Sequence, residues 1–247
     1  MIFQPTISNE QTAELPSAHF DGRIVVVDSE AQIEKVCADL GAQQIIGFDT
    51  ETRPSFKAGV TNKVALLQLS TSECCYLIRL CRTKLHPAIL KILSNPAIKK
   101  IGADVAGDIR SLHALRNFKE RGFLDLQQMA SYWGIEEKSL RKLSAIVLGE
   151  RVSKAQRLSN WEATVLTDQQ RDYAATDAWV SLKLLEELLK VEPVVEAPLT
   201  IVGAPQPKVV KTAMGKAKRD EAKGDKQRPR SRYRRFIAKK KKENKRA

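Results

Sequence analysis

Short apolar runs alternate with longer amphipathic segments along most of this chain, and the alternation limits the folds it can adopt. Four runs indicate buried strands: IIGFD, VALLQLS, CCYLIRL and KKIGA. Residues 106–118 and 167–190 carry apolar side chains at helical spacing. The polar TSE between two of the runs is short enough for a hairpin. The sequence therefore predicts an α/β fold in which helices flank a mixed sheet.

The positive charge of the chain is concentrated toward its C-terminal end. The net charge over all 247 residues is +13. Residues 203–247 hold 18 Lys and Arg but 4 Asp and Glu, whereas the residues before them hold 24 basic and 25 acidic side chains. A segment so charged and so poor in apolar residues cannot bury enough surface to offset its ordering entropy. We therefore expect a neutral folded body followed by a disordered basic C-terminal tail.

Composition shifts along the chain suggest four segments. Four prolines fall within VEPVVEAPLTIVGAPQP, which is typical of a linker. The predicted segments are a short N-terminal lead (1–21), a globular domain (22–190), a proline-rich linker (191–207) and the basic tail (208–247).

The composition also argues against several classes of protein. No run of about 18 apolar residues is present, so no membrane-spanning helix is expected. The start, MIFQPTISNEQ, lacks a basic segment followed by an apolar core, so no secretory signal is expected. The four cysteines lack C-x-x-C spacing and the three histidines are scattered, which argues against a zinc site. We expect an intracellular protein, cytoplasmic in a prokaryote, with the nucleus as a further compartment in a eukaryote, where the lysine run would act as an import signal.

Four acidic side chains and one tyrosine occupy positions that these elements could bring to a common point. Asp49 and Glu51, two residues apart at the end of a strand, project from the same face. Asp108 falls near the start of a helix, directly after the strand-like KKIGA. Tyr173 and Asp177, four residues apart on a long helical pattern, also share a face. Three separate elements therefore offer acids toward one pocket.

Such a set suits a two-metal site that cleaves phosphodiesters. Two divalent ions about 3.5–4 Å apart stabilise the attacking and leaving oxygens and lower the pKa of the attacking water. Hard ions such as Mg²⁺ prefer oxygen ligands, which four carboxylates supply. Each fragment alone has a simpler interpretation: a solvated strand end, a charge at a helix start, or a packed tyrosine beside an exposed acid.

Together these motifs resemble those of a known family. FDTET, GADVAGDIRSL and YAATDA match, in order and spacing, the three motifs of the DEDDy 3′–5′ exonucleases, the group that includes ribonuclease D. Connecting segments such as KVALLQLS and SKAQRLSNW resemble those of the Werner-syndrome exonuclease domain. The resemblance covers roughly Gly22 to Leu189.

This resemblance implies a ribonuclease H-like fold and the hydrolytic release of nucleoside monophosphates from a 3′ end. It also implies two divalent metal ions, Mg²⁺ or Mn²⁺. By position, the four acids match the family's metal-binding residues, and the tyrosine matches the residue that positions the water. The residues so assigned are Asp49, Glu51, Asp108 and Asp177 for the metal ions and Tyr173 for the water.

Further positions have two interpretations each. Lys154 and Arg157 precede the last motif, where they would hold substrate phosphates or would be ordinary solvated loop cations. Trp161 would be a packing anchor or a platform on which a base stacks. Asp125 is predicted to cap a helix, and the sequence assigns no role to Gln68.

The expected partners are the 3′ ends of DNA or RNA, and the basic tail is expected to contact nucleic acid. We expect DNA to be slightly favoured, because nothing resembling the helical accessory domains of ribonuclease D follows the motifs. Trimming of RNA 3′ ends is the alternative activity. A further alternative is a non-catalytic nucleic-acid-binding protein that retains the fold. The loss of one of the four motif acids would have favoured this alternative, but all four are present.

Overall fold

A single mixed sheet forms the centre of the part of the chain that the structure describes. The computed structural model describes residues 3–195 and 201–202. The strands in this part of the chain are β1 (Arg23–Val27), β2 (Ile45–Thr52), β3 (Val64–Ser70), β4 (Cys74–Arg79), β5 (Lys99–Gly102), β6 (Phe123–Asp125) and β7 (Ile201–Val202). They lie in the order β1-β4-β3-β2-β5-β6-β7. The predicted α/β fold with a mixed sheet is therefore confirmed.

Helices pack on both faces of this sheet. In the described residues they are α1 (Asn9–Glu14), α2 (Glu30–Gly41), α3 (Leu80–Thr83), α4 (Pro87–Ser94), α5 (Val105–His113), α6 (Leu126–Met129), a 3₁₀ helix (Ala130–Trp133), α7 (Leu140–Leu148) and α8 (Asp168–Leu188). None of them is both long and apolar enough to cross a membrane.

The sheet contains more antiparallel pairing than the sequence predicts. The expected hairpin between β3 and β4 is present. In addition, β2 pairs antiparallel with β3 across the loop 53–63. On its other side β2 runs parallel to β5. Strand β2 is thus hydrogen-bonded along both edges, which holds its side chains in a fixed register.

The two faces of β2 have opposite character. Ile46 and Phe48 are fully buried in a large apolar cluster with helices α2, α4 and α5. Because side chains alternate along a strand, Gly47, Asp49 and Glu51 point to the other face. That face is covered by α8, so the acids of β2 lie beneath the longest helix described.

The start of helix α8 is fixed by a capping motif in its own sequence. Thr167 and Gln170 form a reciprocal capping box, in which each side chain accepts a hydrogen bond from the other residue's backbone N–H. Small residues such as Ala174 and Ala178 face the sheet and are fully buried. They allow the helix to lie close to the strands.

Regular structure is present in both predicted segments that flank the globular domain. The predicted lead 1–21 contains helix α1, and Ile7 and Phe20 of this segment are buried. The predicted linker 191–207 contains β7, which pairs antiparallel with β6. The predicted tail, residues 208–247, lies outside the described residues.

Candidate active site

Strand β2 presents the first two predicted acids on one face. Asp49 and Glu51 lie opposite Gln68 and Leu66 of β3 in the antiparallel register. Both acids are partly buried, so they are not on a solvated rim. Their two-residue spacing directs both side chains toward α8.

Helix α8 places Asp177 over this face of the sheet. Asp177 is buried, with 6% of its surface exposed. The next residue, Ala178, touches the sheet through its backbone: a Cβ on Gly47 would lie 1.9 Å from the Ala178 carbonyl oxygen. Glycine at position 47 therefore permits the close approach that brings Asp177 to the acids of β2.

Three of the four predicted acids meet at one point. One carboxylate oxygen from each of Asp49, Glu51 and Asp177 lies within 4.8 Å of the other two. All three line a cavity of about 310 Å³, together with Tyr173. Oxygens this close, from three carboxylates, form the kind of ligand set that a hard divalent cation prefers.

Asp108 adjoins this cluster from helix α5. Its Oδ1 accepts a hydrogen bond of 2.6 Å from the hydroxyl of Thr50, the residue between the two acids of β2. Its charge also raises the pKa of Glu51. Asp108 is not among the three whose oxygens lie within 4.8 Å. The four acids therefore converge, with Asp108 at the edge of the cluster.

Burial and mutual repulsion make this cluster unfavourable when all its carboxylates are charged. The pKa of Glu51 rises to about 10, first because the group is buried and then because Asp49, Asp177 and Asp108 are near. Burial and the charge of Asp49 also raise the pKa values of Asp108 and Asp177. Arg157 is the cation that opposes the rise at Glu51. The site thus has a deficit of positive charge.

Tyr173 lies one helical turn before Asp177 on α8, and both residues line the cavity. Burial, followed by the charges of Asp177 and Glu51, raises the pKa of Tyr173, so its hydroxyl keeps its proton. The ring packs against Trp161, with centroids 6.0 Å apart. The phenol is therefore fixed at the cavity wall.

Trp161 does not lie where nucleic acid could reach it. It is 0% exposed and belongs to the apolar cluster between α8 and the sheet. Of its two predicted roles, stacking with a base is therefore wrong for this conformation, and the packing role agrees with the structure. A tryptophan in a polar sequence context (SNWE) gives no local sign that it will be buried.

Cationic side chains line the same cavity as the acids. Lys154 and Arg157, which the sequence singled out, are exposed and contribute to its wall. Arg141, at the start of helix α7, also lines it. The Nε of Arg141 is buried and makes no hydrogen bond to any residue in the described ranges.

Sequence reasoning missed some residues near the site. Arg141 was not a candidate, because the helical pattern of SLRKLSAIVLG identified an apolar face but did not distinguish among its polar residues. Thr50 was also missed; its position between Asp49 and Glu51 was the available signal. The predicted cap by Asp125 is confirmed, since its Oδ1 accepts from the Gln127 N–H at 2.9 Å.

Comparison with known proteins agrees with these features. Residues 24–191 match the sequence family described as 3′–5′ exonuclease. The bifunctional 3′–5′ exonuclease/ATP-dependent helicase WRN of Mus musculus is 36% identical over 186 residues, which cover 70% of this chain but 13% of WRN. This chain therefore corresponds to a small part of that relative.

Solved structures show the same fold. The Nibbler EXO domain of Aedes aegypti has a TM-score of 0.61 and 26% identity, over 68% of this chain and 88% of that domain. Escherichia coli RNase D has a TM-score of 0.62 and 21% identity, over 68% of this chain and 44% of that protein. The predicted ribonuclease H-like fold is thereby confirmed. With two thirds of its length matched by the family and three of the four motif acids gathered at one cavity, the chain belongs to the 3′–5′ exonuclease family.

Proposed function

We propose that this protein is a metal-dependent 3′–5′ exonuclease that releases nucleoside monophosphates by a two-metal mechanism. The observation that carries the proposal is the meeting of Asp49, Glu51 and Asp177 within 4.8 Å at one cavity. A phosphodiester is anionic, so a cleft of carboxylates would repel it unless cations were also bound. The cluster therefore fits a site that works only with metal.

The residues present suit Mg²⁺ or Mn²⁺. The donors are carboxylate oxygens, which these hard ions prefer. Burial, followed by the charges of neighbouring acids, raises the pKa values of Glu51 and Asp177, so bound cations would stabilise their charged forms. Asp177 Oδ1 is also buried without a hydrogen-bond partner among the described residues. Asp49, Glu51 and Asp177, with Asp108 at the edge, would hold the ions. Bound there, two divalent cations would activate the attacking water and stabilise the leaving oxygen.

Tyr173 is proposed to orient the attacking water. Its hydroxyl remains protonated, so it both donates and accepts a hydrogen bond. Packing against Trp161 limits the rotation of the ring. A hydroxyl held in this way positions a water without acting as the base.

Lys154, Arg157 and Arg141 are proposed to hold the substrate strand. They line the cavity that contains the acids, and so offer positive charge to the phosphates. Arginine presents a planar fork that binds two phosphate oxygens at once, whereas lysine acts as a point charge. This arrangement supports binding of a nucleic-acid end with no preference for sequence.

The segments outside the cavity also form part of the proposal. We assign the exonuclease domain to residues 22–190 and the linker to 191–207, which includes strand β7. Residues 208–247 are proposed to contact nucleic acid through their basic side chains. DNA ends are proposed as the preferred substrate.

RNA trimming remains the second candidate, because the structurally similar E. coli RNase D is an exoribonuclease involved in structured RNA processing. The two substrates differ at each ribose by a 2′-hydroxyl. Rates on 3′-labelled DNA and RNA of the same sequence, single-stranded and recessed, separate the two candidates.

The decisive test is Asp49→Asn. This change removes one charge from the cluster and keeps the shape of the side chain. We expect nucleotide release in Mg²⁺ or Mn²⁺ to fall by about 10³-fold or more, while thermal unfolding stays cooperative. Asp28→Asn makes the same change at an exposed site and should retain full activity. Undiminished release by Asp49→Asn would refute the proposal, and tight binding without release by the unaltered protein would favour a non-catalytic role.

A further inference from the structure

Gln68, on strand β3, is a fully buried residue whose side-chain amide makes no hydrogen bond in the described chain. Its side chain is 0% exposed. Neither its Oε1 nor its Nε2 has a partner anywhere in residues 3–195 and 201–202. Buried side-chain amides are nearly always hydrogen-bonded, because an unpaired one keeps the cost of leaving water. Such a residue therefore requires an explanation.

The position of Gln68 connects it to the acid cluster. It lies directly opposite Asp49 in the antiparallel register of β2 and β3. Side chains paired in this way have Cβ atoms about 4.5–5.5 Å apart on the same face of the sheet. That face is the one covered by α8, which carries Asp177. The amide is therefore beneath the site and next to its carboxylates.

Other buried groups on this side of the sheet also lack partners in the described chain. Among them are Asp177 Oδ1 and the indole Nε1 of Trp161. Together with the two amide atoms of Gln68 they make two donors and two acceptors. By type, the Trp161 Nε1–H is a donor that suits the Gln68 oxygen, and the Gln68 nitrogen is a donor that suits Asp177 Oδ1. The unpaired groups therefore complement one another.

A second buried glutamine shows what an ordinary structural role looks like here. Gln170 is 5% exposed. Its Oε1 accepts from the Thr167 backbone N–H at 3.0 Å, and its Nε2 donates to the Asn160 carbonyl at 3.3 Å. Gln170 thus stabilises the fold through bonds that are already made. Gln68 makes none, so its amide gives the metal-free fold no such stabilisation.

We propose that Gln68 is a positioning residue for the metal-binding carboxylates. When cations bind, its amide N–H donates a hydrogen bond to Asp177 Oδ1, so that the other oxygen of Asp177 is directed toward Asp49 and Glu51. The inference rests on the proposed function, since it concerns the same site. Groups that orient metal ligands commonly change metal affinity by about 10–100-fold when they are removed.

The test is Gln68→Met, which keeps the approximate shape of the side chain and removes both polar atoms. In metal-free protein, we expect the melting temperature to rise by about 2–4 °C, because an unpaired buried amide is lost. The affinity for Mn²⁺, measured by titration calorimetry, is expected to fall by about tenfold or more. Gln68→Leu serves as a second variant with the same expectation should methionine misfold.

Gln170→Met is the matched control. It should lower the melting temperature, because two hydrogen bonds are lost, and leave Mn²⁺ affinity within about twofold of the unaltered protein. The inference is overturned if Gln68→Met leaves the affinity unchanged, or if Gln170→Met weakens it equally. Absence of Mn²⁺ binding by the unaltered protein would instead overturn the proposed metal site itself, so the two failures are distinguishable.

Discussion

Gly47 of β2 and Ala178 of α8 are in direct backbone contact, since a Cβ on Gly47 would lie only 1.9 Å from the Ala178 carbonyl oxygen. Real Cβ atoms do not approach a carbonyl oxygen so closely. The residue before Ala178 is Asp177, whose carboxylate meets those of Asp49 and Glu51. The distance between helix and sheet at Gly47 therefore determines whether the three carboxylates can meet.

Gly47→Ala should separate α8 from the sheet and disrupt the cluster. The methyl group would meet backbone atoms, which cannot rotate away as a side chain can. We expect unfolding free energy to fall by about 1–3 kcal/mol or more and Mn²⁺ affinity to fall with it. Chemical denaturation and calorimetry measure the two effects. Gly41→Ala is the control, because its Cβ would meet only Ile92 Cδ1 at 3.9 Å; equal losses in both variants would contradict the interpretation.

Glu51 should make the metal-free protein less stable as the pH rises. Its pKa is about 10 in the folded state and about 4.3 in the unfolded state, so the folded protein binds this proton more tightly. That stabilisation is fully present below about pH 4 and is lost as the pH rises toward 10. Melting temperatures in a chelator, from about pH 5 to 9, are expected to decline.

Glu51→Gln should reduce this decline and stabilise metal-free protein at about pH 8 by roughly 1–2 kcal/mol, while abolishing nucleotide release. Added Mn²⁺ must displace the proton of Glu51, so its stabilising effect on the unaltered protein should grow with pH. Glu73→Gln changes an exposed acid and serves as the control. A Glu51→Gln variant with the same pH slope as the unaltered protein would disprove the assignment.

Local periodicity predicts which of the acids share a face of one element, whereas their convergence from β2, α5 and α8 depends on packing between distant segments. A spacing of two on a strand and of four on a helix places side chains on one face. Asp49 with Glu51, and Tyr173 with Asp177, follow these rules. The second antiparallel pairing, between β2 and β3, could not be predicted from this periodicity, because it depends on how the loop 53–63 folds back.

Other features depend on contacts between distant segments. Lys100 was part of the predicted strand KKIGA, yet it is fully buried, and burial lowers its pKa to about 7. Its Nζ donates to the carbonyl of Ile92 in the last turn of α4 at 3.2 Å. It also donates to the carbonyls of Asn95 and Ile98, which follow the helix, at 2.8 Å each. No local pattern distinguishes such a lysine from an exposed one. The same holds for Gln68: the apolar run around it predicts a buried strand, but no local pattern identifies a hydrogen-bond partner for its side chain.

Asp125 should support the position of Asp108. Its buried carboxylate accepts from the N–H of Val105, the first residue of α5, at 3.1 Å and from that of Gln127 at 2.9 Å. Asp125→Ala leaves both donors unpaired, so we expect a loss of about 2–3 kcal/mol in unfolding free energy and reduced nucleotide release. Ser8→Ala, at the N-cap of α1, should cost about 1 kcal/mol without affecting release. Full activity in Asp125→Ala would show that α5 is held by other contacts.

Arg141 should act in substrate binding more than in turnover. Its unpaired Nε and its place in the cavity wall suit contact with a phosphate. On a 3′-labelled oligonucleotide, Arg141→Gln should raise KM by about tenfold, the effect of losing one charge-assisted hydrogen bond, with little change in kcat. Arg141→Lys should recover part of the loss, because it keeps the charge but not the fork. Lys138→Gln, exposed and close in sequence, is the charge-matched control; an equal rise in KM there would indicate a non-specific effect of charge.

Removing residues 208–247 should weaken substrate binding and make it less sensitive to salt. All 18 Lys and Arg counted from residue 203 onward lie in this segment. Each phosphate that they neutralise on a single strand adds about 0.7 to the slope of log affinity against log salt concentration, so the slope should become shallower without them. Turnover at saturating substrate should persist, because the acids and Tyr173 lie outside the deleted segment. A tail of equal length with its Lys and Arg replaced by Ser separates charge from length and should behave like the deletion. An unaltered salt response in either protein would mean that the cations of the cavity alone account for the attraction to nucleic acid.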